Sequence, residues 1–323
     1  RLYDDEFNEF LMKLLITGGL GFIGSNFIQH VFKNTDWEVT NVDAEVFGSS
    51  HHNLETVSDS KNYTFVKGNI TNRKLMDDLI SKCDCIVNFA AESHVDRSIL
   101  DANPFLISNI RGVFTILDVL KERKKKLVQI STDEVFGTIV EGSATEKSCF
   151  NPSSPYSATK ASAELLINAY ITTYGLDVIT TRCTNNYGPH QFVEKLIPKS
   201  IGLCRQDRKI PVYGTGKSIR DWIHVQDHCE AIMTVLEKGK SGESYNISAS
   251  NEIDTVTLLK KILKLLGKPE DLLQFGEERP GEDLRYSLDS SKIRNELGWK
   301  PKISIDDGLK KTVEWYMFHS QAW

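Results

Sequence analysis

Three groups of residues in this 323-residue chain have the types and spacing to do chemistry. The stretch "ISTDEVFG", Ile130 to Gly137, places Thr132, Asp133 and Glu134 directly behind an apolar run that reads as a buried strand. Two adjacent carboxylates are easy to accommodate on a solvated loop. In a pocket their proton affinities are driven apart, so that one serves as acid and the other as base. The stretch "YSATK" sets Tyr156 and Lys160 four residues apart, on one face of a helix. An ammonium near a phenol favours the phenolate, and a tyrosine so tuned can act as a base near neutral pH. Ser131 and Thr132 at the preceding strand end make this pair more than a chance match.

The third group is "TGGLGFIG", with Gly18, Gly21 and Gly24 between a strand and a helix. The first glycine permits the tight turn, and the second lets backbone approach a pyrophosphate. The third lets the helix pack closely on the strand, with the phosphates at the helix N-terminus. Asp43 ends the next strand, 19 residues after Gly24. That spacing suits a carboxylate accepting hydrogen bonds from the adenosine ribose, and it would repel a 2′-phosphate, which points to NAD rather than NADP.

The elements that must hold these groups alternate in type. Apolar β-rich runs at 13–19, 37–43, 62–70, 85–91, 126–132 and 177–183 are separated by helical patterns near 22–33, 72–82, 104–122 and 156–174. Strands apolar on both faces, each followed by a helix, form a parallel sheet covered on both sides. From Asn185 the rhythm breaks into short Gly- and Pro-punctuated segments. "DWIHV" and "ESYNIS" read as further strands, and Val256 to Leu266 as a last helix before a loop containing "RPGEDLRY". The reading is an α/β, Rossmann-type doubly wound parallel sheet with a smaller C-terminal substrate-binding lobe. Residues 12–187 and about 220–249 form the first part, and 188–219 with 250–318 the lobe. Residues 1–11 precede Met12, the expected start of the fold, as an acidic extension or a cloning remnant.

Composition narrows the function classes. A net charge of −5 and 26% charged residues carry no long basic stripe, and the run Lys121 to Lys126 suits a helix C-terminus rather than nucleic acid. No apolar run approaches the roughly 18 residues of a membrane span. Six scattered cysteines suit a reducing, cytoplasmic setting. Neither Cys83 with Cys85 nor His51 with His52 has metal-site context, so no metal is expected.

With these motifs in place, the chain from Met12 to about Tyr316 resembles the extended short-chain dehydrogenase/reductase family. Within it the chain is similar to nucleoside-diphosphate-glucose 4,6-dehydratases, above all the dTDP-glucose type. The segments that carry this are "AAESHVDRS", "STDEVFG", "SPYSATK", "NNYGPHQFVEKLIP", "IRDWIHVQDH" and "RPGEDLRY". The resemblance implies Tyr156 as base at the sugar 4-hydroxyl, Thr132 bonded to the 4-oxygen, Glu134 as base at C5 and Asp133 as acid at the departing 6-hydroxyl. Lys160 would also bond the nicotinamide ribose. Epimerases of the family usually carry small or apolar residues where the two carboxylates sit.

The resemblance also implies contacts. Phe22 and Ile23 lie along the pyrophosphate, and Asn69 and Ile70 near adenine. Ala90, Ala91, Ser93, Asn109 and Ser131 line the cofactor, with Asn186 on the nicotinamide side. Ser93, His94 and Asn185 border the sugar. Lys195, Leu196, Pro211 and Tyr213, with Arg220, Asn251, Arg285 and Tyr286, hold the nucleoside diphosphate. Related enzymes usually dimerise through two helices, here near 104–122 and 156–174, so a homodimer is expected. Three positions depart from the family pattern: Asn69 stands for an aspartate, Phe136 for a tyrosine and Glu282 for a histidine. They leave thymine or uracil as the substrate base open. A 4-epimerase or decarboxylase of the same family and a non-catalytic NAD-binding sensor are the alternative readings.

Overall fold

The computed structural model describes residues 11–278 and 281–319. The first ten residues, and Arg279 and Pro280 of the segment expected at the substrate, lie outside the described residues. Twelve strands follow in chain order: β1 (Lys13–Thr17), β2 (Glu38–Asp43), β3 (Tyr63–Lys67), β4 (Cys85–Asn88), β5 (Lys126–Thr132), β6 (Val178–Cys183), β7 (Asn185–Tyr187), β8 (Ile210–Val212), β9 (Ile219–His224), β10 (Ser244–Ile247), β11 (Glu252–Asp254) and β12 (Leu273–Phe275). Seven form one parallel sheet in the order β10-β6-β5-β4-β1-β2-β3. Strand order reverses between β1 and β4, and in such sheets ligands bind beyond the strand C-termini at that point. This is the expected Rossmann-type fold.

Helices Phe22–Asn34 and Val225–Lys238 cover one face, packed on Leu14, Ile16, Val87 and Val128. Helices Arg73–Ser81, Val113–Arg123 and Pro155–Tyr174 cover the other, over Leu15, Ile86, Leu127 and Val178. Alternate residues of each strand therefore feed opposite cores, which is why the strands read as apolar throughout.

The smaller lobe has a three-stranded sheet, β11-β9-β7, and a two-stranded one, β12-β8. Helices Leu196–Arg205, Thr255–Leu265 and Ile305–Phe318 close its core around Tyr187, Trp222, Leu258 and Leu309. β7 and β9, placed in the larger part by the sequence reading, pair with each other here. The outer edge of β6 is already filled by β10, so the chain leaves the central sheet after Cys183. The sequence reading also did not find helix Ile305–Phe318. Gly308 weakens its helical signal, yet a Cβ there would stand 2.8 Å from Tyr187 Cζ, so glycine allows the helix to lie directly on that ring.

The single helix expected near 104–122 is three pieces: Asn103–Phe105, a π-helical stretch Leu106–Gly112, and Val113–Arg123. Helix Pro155–Tyr174, which carries Tyr156 and Lys160, has clear boundary signals. Ser154 and Ser157 form a capping box, Pro155 opens the first turn, and Gly175 ends the helix in the left-handed region at φ 64.

Candidate active site

A cavity of about 740 Å³ runs along the C-terminal ends of the central strands and under the smaller lobe. The glycine loop forms one end. Gly18 has φ 70, and a Cβ there would lie 2.6 Å from Ala90 N; at Gly24 it would lie 2.5 Å from Gly18 O. Both positions therefore require glycine. Gly21 caps helix Phe22–Asn34 without a side-chain hydrogen bond, so the helix N-terminus, with Phe22 and Ile23 on the cavity wall, is open to an anion. Asp43 lines the cavity while its Oδ2 accepts from Leu20 N at 3.0 Å and its Oδ1 from Glu45 N and Ser49 Oγ. It thus ties the glycine loop to the end of β2 as well as facing a ligand. Asn69, Ile70, Ala90, Ala91 and Ser131 line the same stretch. The Asn69 amide oxygen accepts from Thr71 N and Oγ1, both at 2.9 Å, which leaves its NH2 group for a base. These features fit an adenine dinucleotide.

Further along, β5 delivers Thr132, Asp133 and Glu134, and helix Pro155–Tyr174 delivers Tyr156 and Lys160; all five line the cavity. Thr132 caps the short turn Asp133–Phe136, accepting from Glu134 N at 3.3 Å and donating to Asp133 Oδ1 at 3.2 Å. Asp133 is 3% exposed, and its Oδ2 has no hydrogen-bond partner among the described residues. Burial, then the charge of Glu134, push its carboxyl well above the usual carboxylate range.

Lys160 is also buried, and its Nζ donates to Ile130 O at 2.7 Å. Burial lowers it to about 8. The Tyr156 phenol is pushed well up, by burial first and then by the Glu134 charge; the downward pull comes from the Thr132 hydroxyl, where the sequence reading expected Lys160. Burial first, and the charge of Glu134 second, raise the proton affinity of Tyr156.

Ser93, His94, Asn185 and Asn186 line the next stretch of the cavity. Burial, then Lys195, lower the His94 imidazole, which favours its neutral form, and His94 Nδ1 is buried with no partner among the described residues. Asn186 is fixed by His228, whose Nδ1 donates to its amide oxygen at 2.8 Å. Beyond them Lys195, Leu196, Pro211, Tyr213, Arg220 and Tyr286 close the end under the smaller lobe. Lys195 Nζ donates to Ser93 O at 3.0 Å, bridging the two lobes.

Comparison with known proteins then places the chain. The family model described as GDP-mannose 4,6 dehydratase matches residues 15–312. The chain belongs to this family. The low-salt glycan biosynthesis protein Agl12 of Haloferax volcanii is 46% identical over 95% of this chain and 99% of its own. A dTDP-glucose 4,6-dehydratase of Streptomyces niveus is 45% identical, covering 97% and 94%. The crystal structure of DesIV, a dTDP-glucose 4,6-dehydratase of Streptomyces venezuelae with NAD and dTDP bound, superposes with a TM-score of 0.95 at 42% identity, covering 97% and 99%.

Within this 4,6-dehydratase family chain, three expected contact residues lie outside the cavity wall. Asn109, on the π-helical stretch, clamps the backbone of Glu92, accepting from its N at 2.9 Å and donating to its O at 3.0 Å, and also bonds Thr159. Asn251 N donates to Asp221 Oδ1 and its amide to Trp222 O, so it fastens β9. Arg285 pairs bidentately with Glu252 at 2.7 and 2.8 Å and bonds Ile139 O and Gly142 O. All three side chains are consumed in holding the loops that shape the site. Phe136 likewise points away. It packs against Phe150 under the Arg182 guanidinium, where a tyrosine hydroxyl would be buried. The wall also includes Phe47, Phe192, Cys183 and Ser218, which the sequence reading did not assign to the site, and Glu282, which it singled out as a departure bearing on the substrate nucleotide. Of the first four, only Cys183 had a readable signal, as the last residue of the strand beside Thr132.

Proposed function

We propose that this chain is an NAD-dependent dTDP-glucose 4,6-dehydratase that converts its substrate to the 4-keto-6-deoxy sugar. The observation that carries the reading is the Asp133 carboxyl: buried, with its proton affinity raised, and adjacent to a second carboxylate at the end of β5, with Tyr156 on the same wall. Elimination of water across C5–C6 needs one acid and one base a few ångströms apart. Epimerisation at C4 needs no acid at C6, so the pair favours dehydration over that alternative. A sensor protein would have no use for it.

The positive nicotinamide of bound NAD would offset the upward push that burial and Glu134 exert on the Tyr156 phenol, so that Tyr156 takes the proton of the 4-hydroxyl while Thr132 holds the 4-oxygen. NAD, when bound, accepts hydride from C4 and later returns it to C6. The 4-ketone acidifies C5, and Glu134 removes that proton. Asp133 gives its proton to the 6-hydroxyl, which leaves as water; Glu134 returns its proton to C5 as hydride arrives at C6, and the proton taken by Tyr156 reloads Asp133 through solvent. Lys160 with Ser131, Asn69 and Asp43 would hold the cofactor, and Lys195, Arg220 and Tyr286 the nucleoside diphosphate. The thymine base is supported by the relatives that carry the dTDP-glucose 4,6-dehydratase name. The test is turnover on dTDP-glucose against UDP-glucose. A 4-keto-6-deoxy product without net cofactor reduction is expected, faster with dTDP-glucose. Steady reduction of NAD would refute dehydration, and faster turnover of UDP-glucose would reassign the base.

We also infer a homodimer. Phe114, Leu165 and Tyr174 are exposed on helices Val113–Arg123 and Pro155–Tyr174, an apolar face of the kind that covers itself in a second copy. Equilibrium sedimentation should give twice the chain mass. Six free cysteines support a reducing compartment, the cytoplasm, as its setting.

A further inference from the structure

Arg220 is the guanidinium of the cavity end under the smaller lobe, and its surroundings are unusual for an anion site. Its Cζ rests 4.3 Å over the Tyr286 ring, and Tyr286 is pinned by its hydroxyl to Asp283 Oδ2 at 2.7 Å. Asp283 is itself held by Thr138 and Ser153. Arg220 Nη1 donates to Ile219 O at 2.9 Å, so one arm of the fork is committed to its own strand. The other arm, Nη2, stands 3.7 Å from Glu282 Oε1. Glu282 does not swing freely there, because Ser218 Oγ donates to the same oxygen at 2.9 Å. Arg220, Ser218, Glu282 and Tyr286 all line the cavity. A fixed carboxylate therefore stands beside the cation that meets the diphosphate.

We infer that Glu282 is a specificity-determining residue that selects nucleotide sugars against free nucleoside diphosphates. This rests on the reading of Arg220 as a diphosphate ligand. The diphosphate diester of a nucleotide sugar carries two negative charges. A free nucleoside diphosphate gains a third on its terminal phosphate above about pH 6. A carboxylate held next to the diphosphate site repels both ligands, and it repels the more highly charged one more strongly. Glu282 thus lowers affinity for the whole class while widening the gap between substrate and the free nucleotide that would compete with it. Ser218 keeps the carboxylate in place, and the shelf of Tyr286 prevents Arg220 from moving away from it.

The experiment compares the competitive inhibition constant of dTDP with the KM for dTDP-glucose, at saturating NAD, for the unaltered protein, Glu282→Gln and Glu282→Asp. Removing the charge with Gln should tighten dTDP by on the order of tenfold and dTDP-glucose by distinctly less, as expected when one like-charge contact is lost. Glu282→Asp should retain the original ratio. Equal changes in the two constants, or weaker binding of either ligand to Glu282→Gln, would overturn the proposal by making the residue a plain contact or a hydroxyl acceptor. Thermal melting with NAD confirms that each variant is folded. If the unaltered protein neither binds dTDP nor turns over dTDP-glucose, the functional reading itself fails, an outcome distinct from an unchanged ratio.

Discussion

The carboxyl groups of Asp133 and Glu134 are neighbours in the chain and occupy different environments. Asp133 is buried with Oδ2 unpartnered among the described residues, whereas Glu134 is only partly buried, and its charge raises the proton affinity of Asp133 further. In the proposed reaction, adjacent groups of one chemical type thereby take opposite tasks. The two single substitutions should separate those tasks. Glu134→Gln should bind dTDP-glucose and NAD but lose exchange of the C5 proton with deuterated water. Asp133→Asn should retain that exchange while water loss slows by about 10² to 10⁴, the usual worth of a positioned acid. Full-rate elimination by either variant would reverse the assignment.

Lys160 gives a pH limb. Burial holds it at about 8, so the ammonium is present below that pH and is lost as pH rises through it. NAD affinity, measured by titration across the range bracketing 8, should weaken on the alkaline side. Lys160→Arg keeps its charge far above 8 and should remove the limb even if its affinity is lower throughout. An unchanged limb in that variant would assign it to another group.

The buried pair Arg182 and Glu164, 3% and 2% exposed, supports the site from beneath. Arg182 bonds Glu164 through Nε and Nη2 at 2.9 and 2.7 Å, and Ser131 Oγ donates to Glu164 at 2.6 Å. Glu164→Ala leaves a guanidinium buried without its counter-ion and should cost about 3 to 5 kcal/mol in denaturant unfolding. Replacing both residues with apolar ones of similar size should recover most of that. A double variant as unstable as the single one would show that the pair's geometry, rather than its charge balance, is what matters.

His228 makes the fold sensitive to acid. It is held at about 3 by burial, against 6.5 when exposed, and it keeps Asn186 in place through Nδ1. Between these values the unfolded chain binds a proton that the folded chain refuses. Stability is therefore full above 6.5 and falls as pH drops towards 3, by up to about 1.4 kcal/mol per pH unit for one histidine. His190 and His224, each lowered by burial to about 4, act in the same direction. A His228→Gln variant should lose stability less steeply with acid, and parallel slopes would exclude His228 as a source.

Much of the cofactor end was legible because its requirements are local. A tight turn, a close helix and a carboxylate at the next strand end are each written in a few consecutive residues. The motif positions Gly18, Gly24, Tyr156 and Lys160 fall where their spacing put them. The smaller lobe was less legible. Arg285 and Asn251 look like ligands in a sequence, as charged or amide side chains in the right segments. Their actual partners, Glu252 and Gly142 for one and Asp221 and Trp222 for the other, are brought up by strand pairing that no local pattern specifies. Phe136, unexplained as a change near the catalytic turn, is ordinary once Phe150 and Arg182 are seen around it.

By itself, the sequence determined the doubly wound sheet, the dinucleotide loop and the five residues proposed to do the chemistry, because periodicity and short spacings are properties of neighbouring residues. Tertiary structure alone decided which carboxyl has its proton affinity raised, what acts on Tyr156, and that Glu282 meets Arg220. Proton affinity depends on burial and on nearby charge, and both are supplied by segments far apart in the chain.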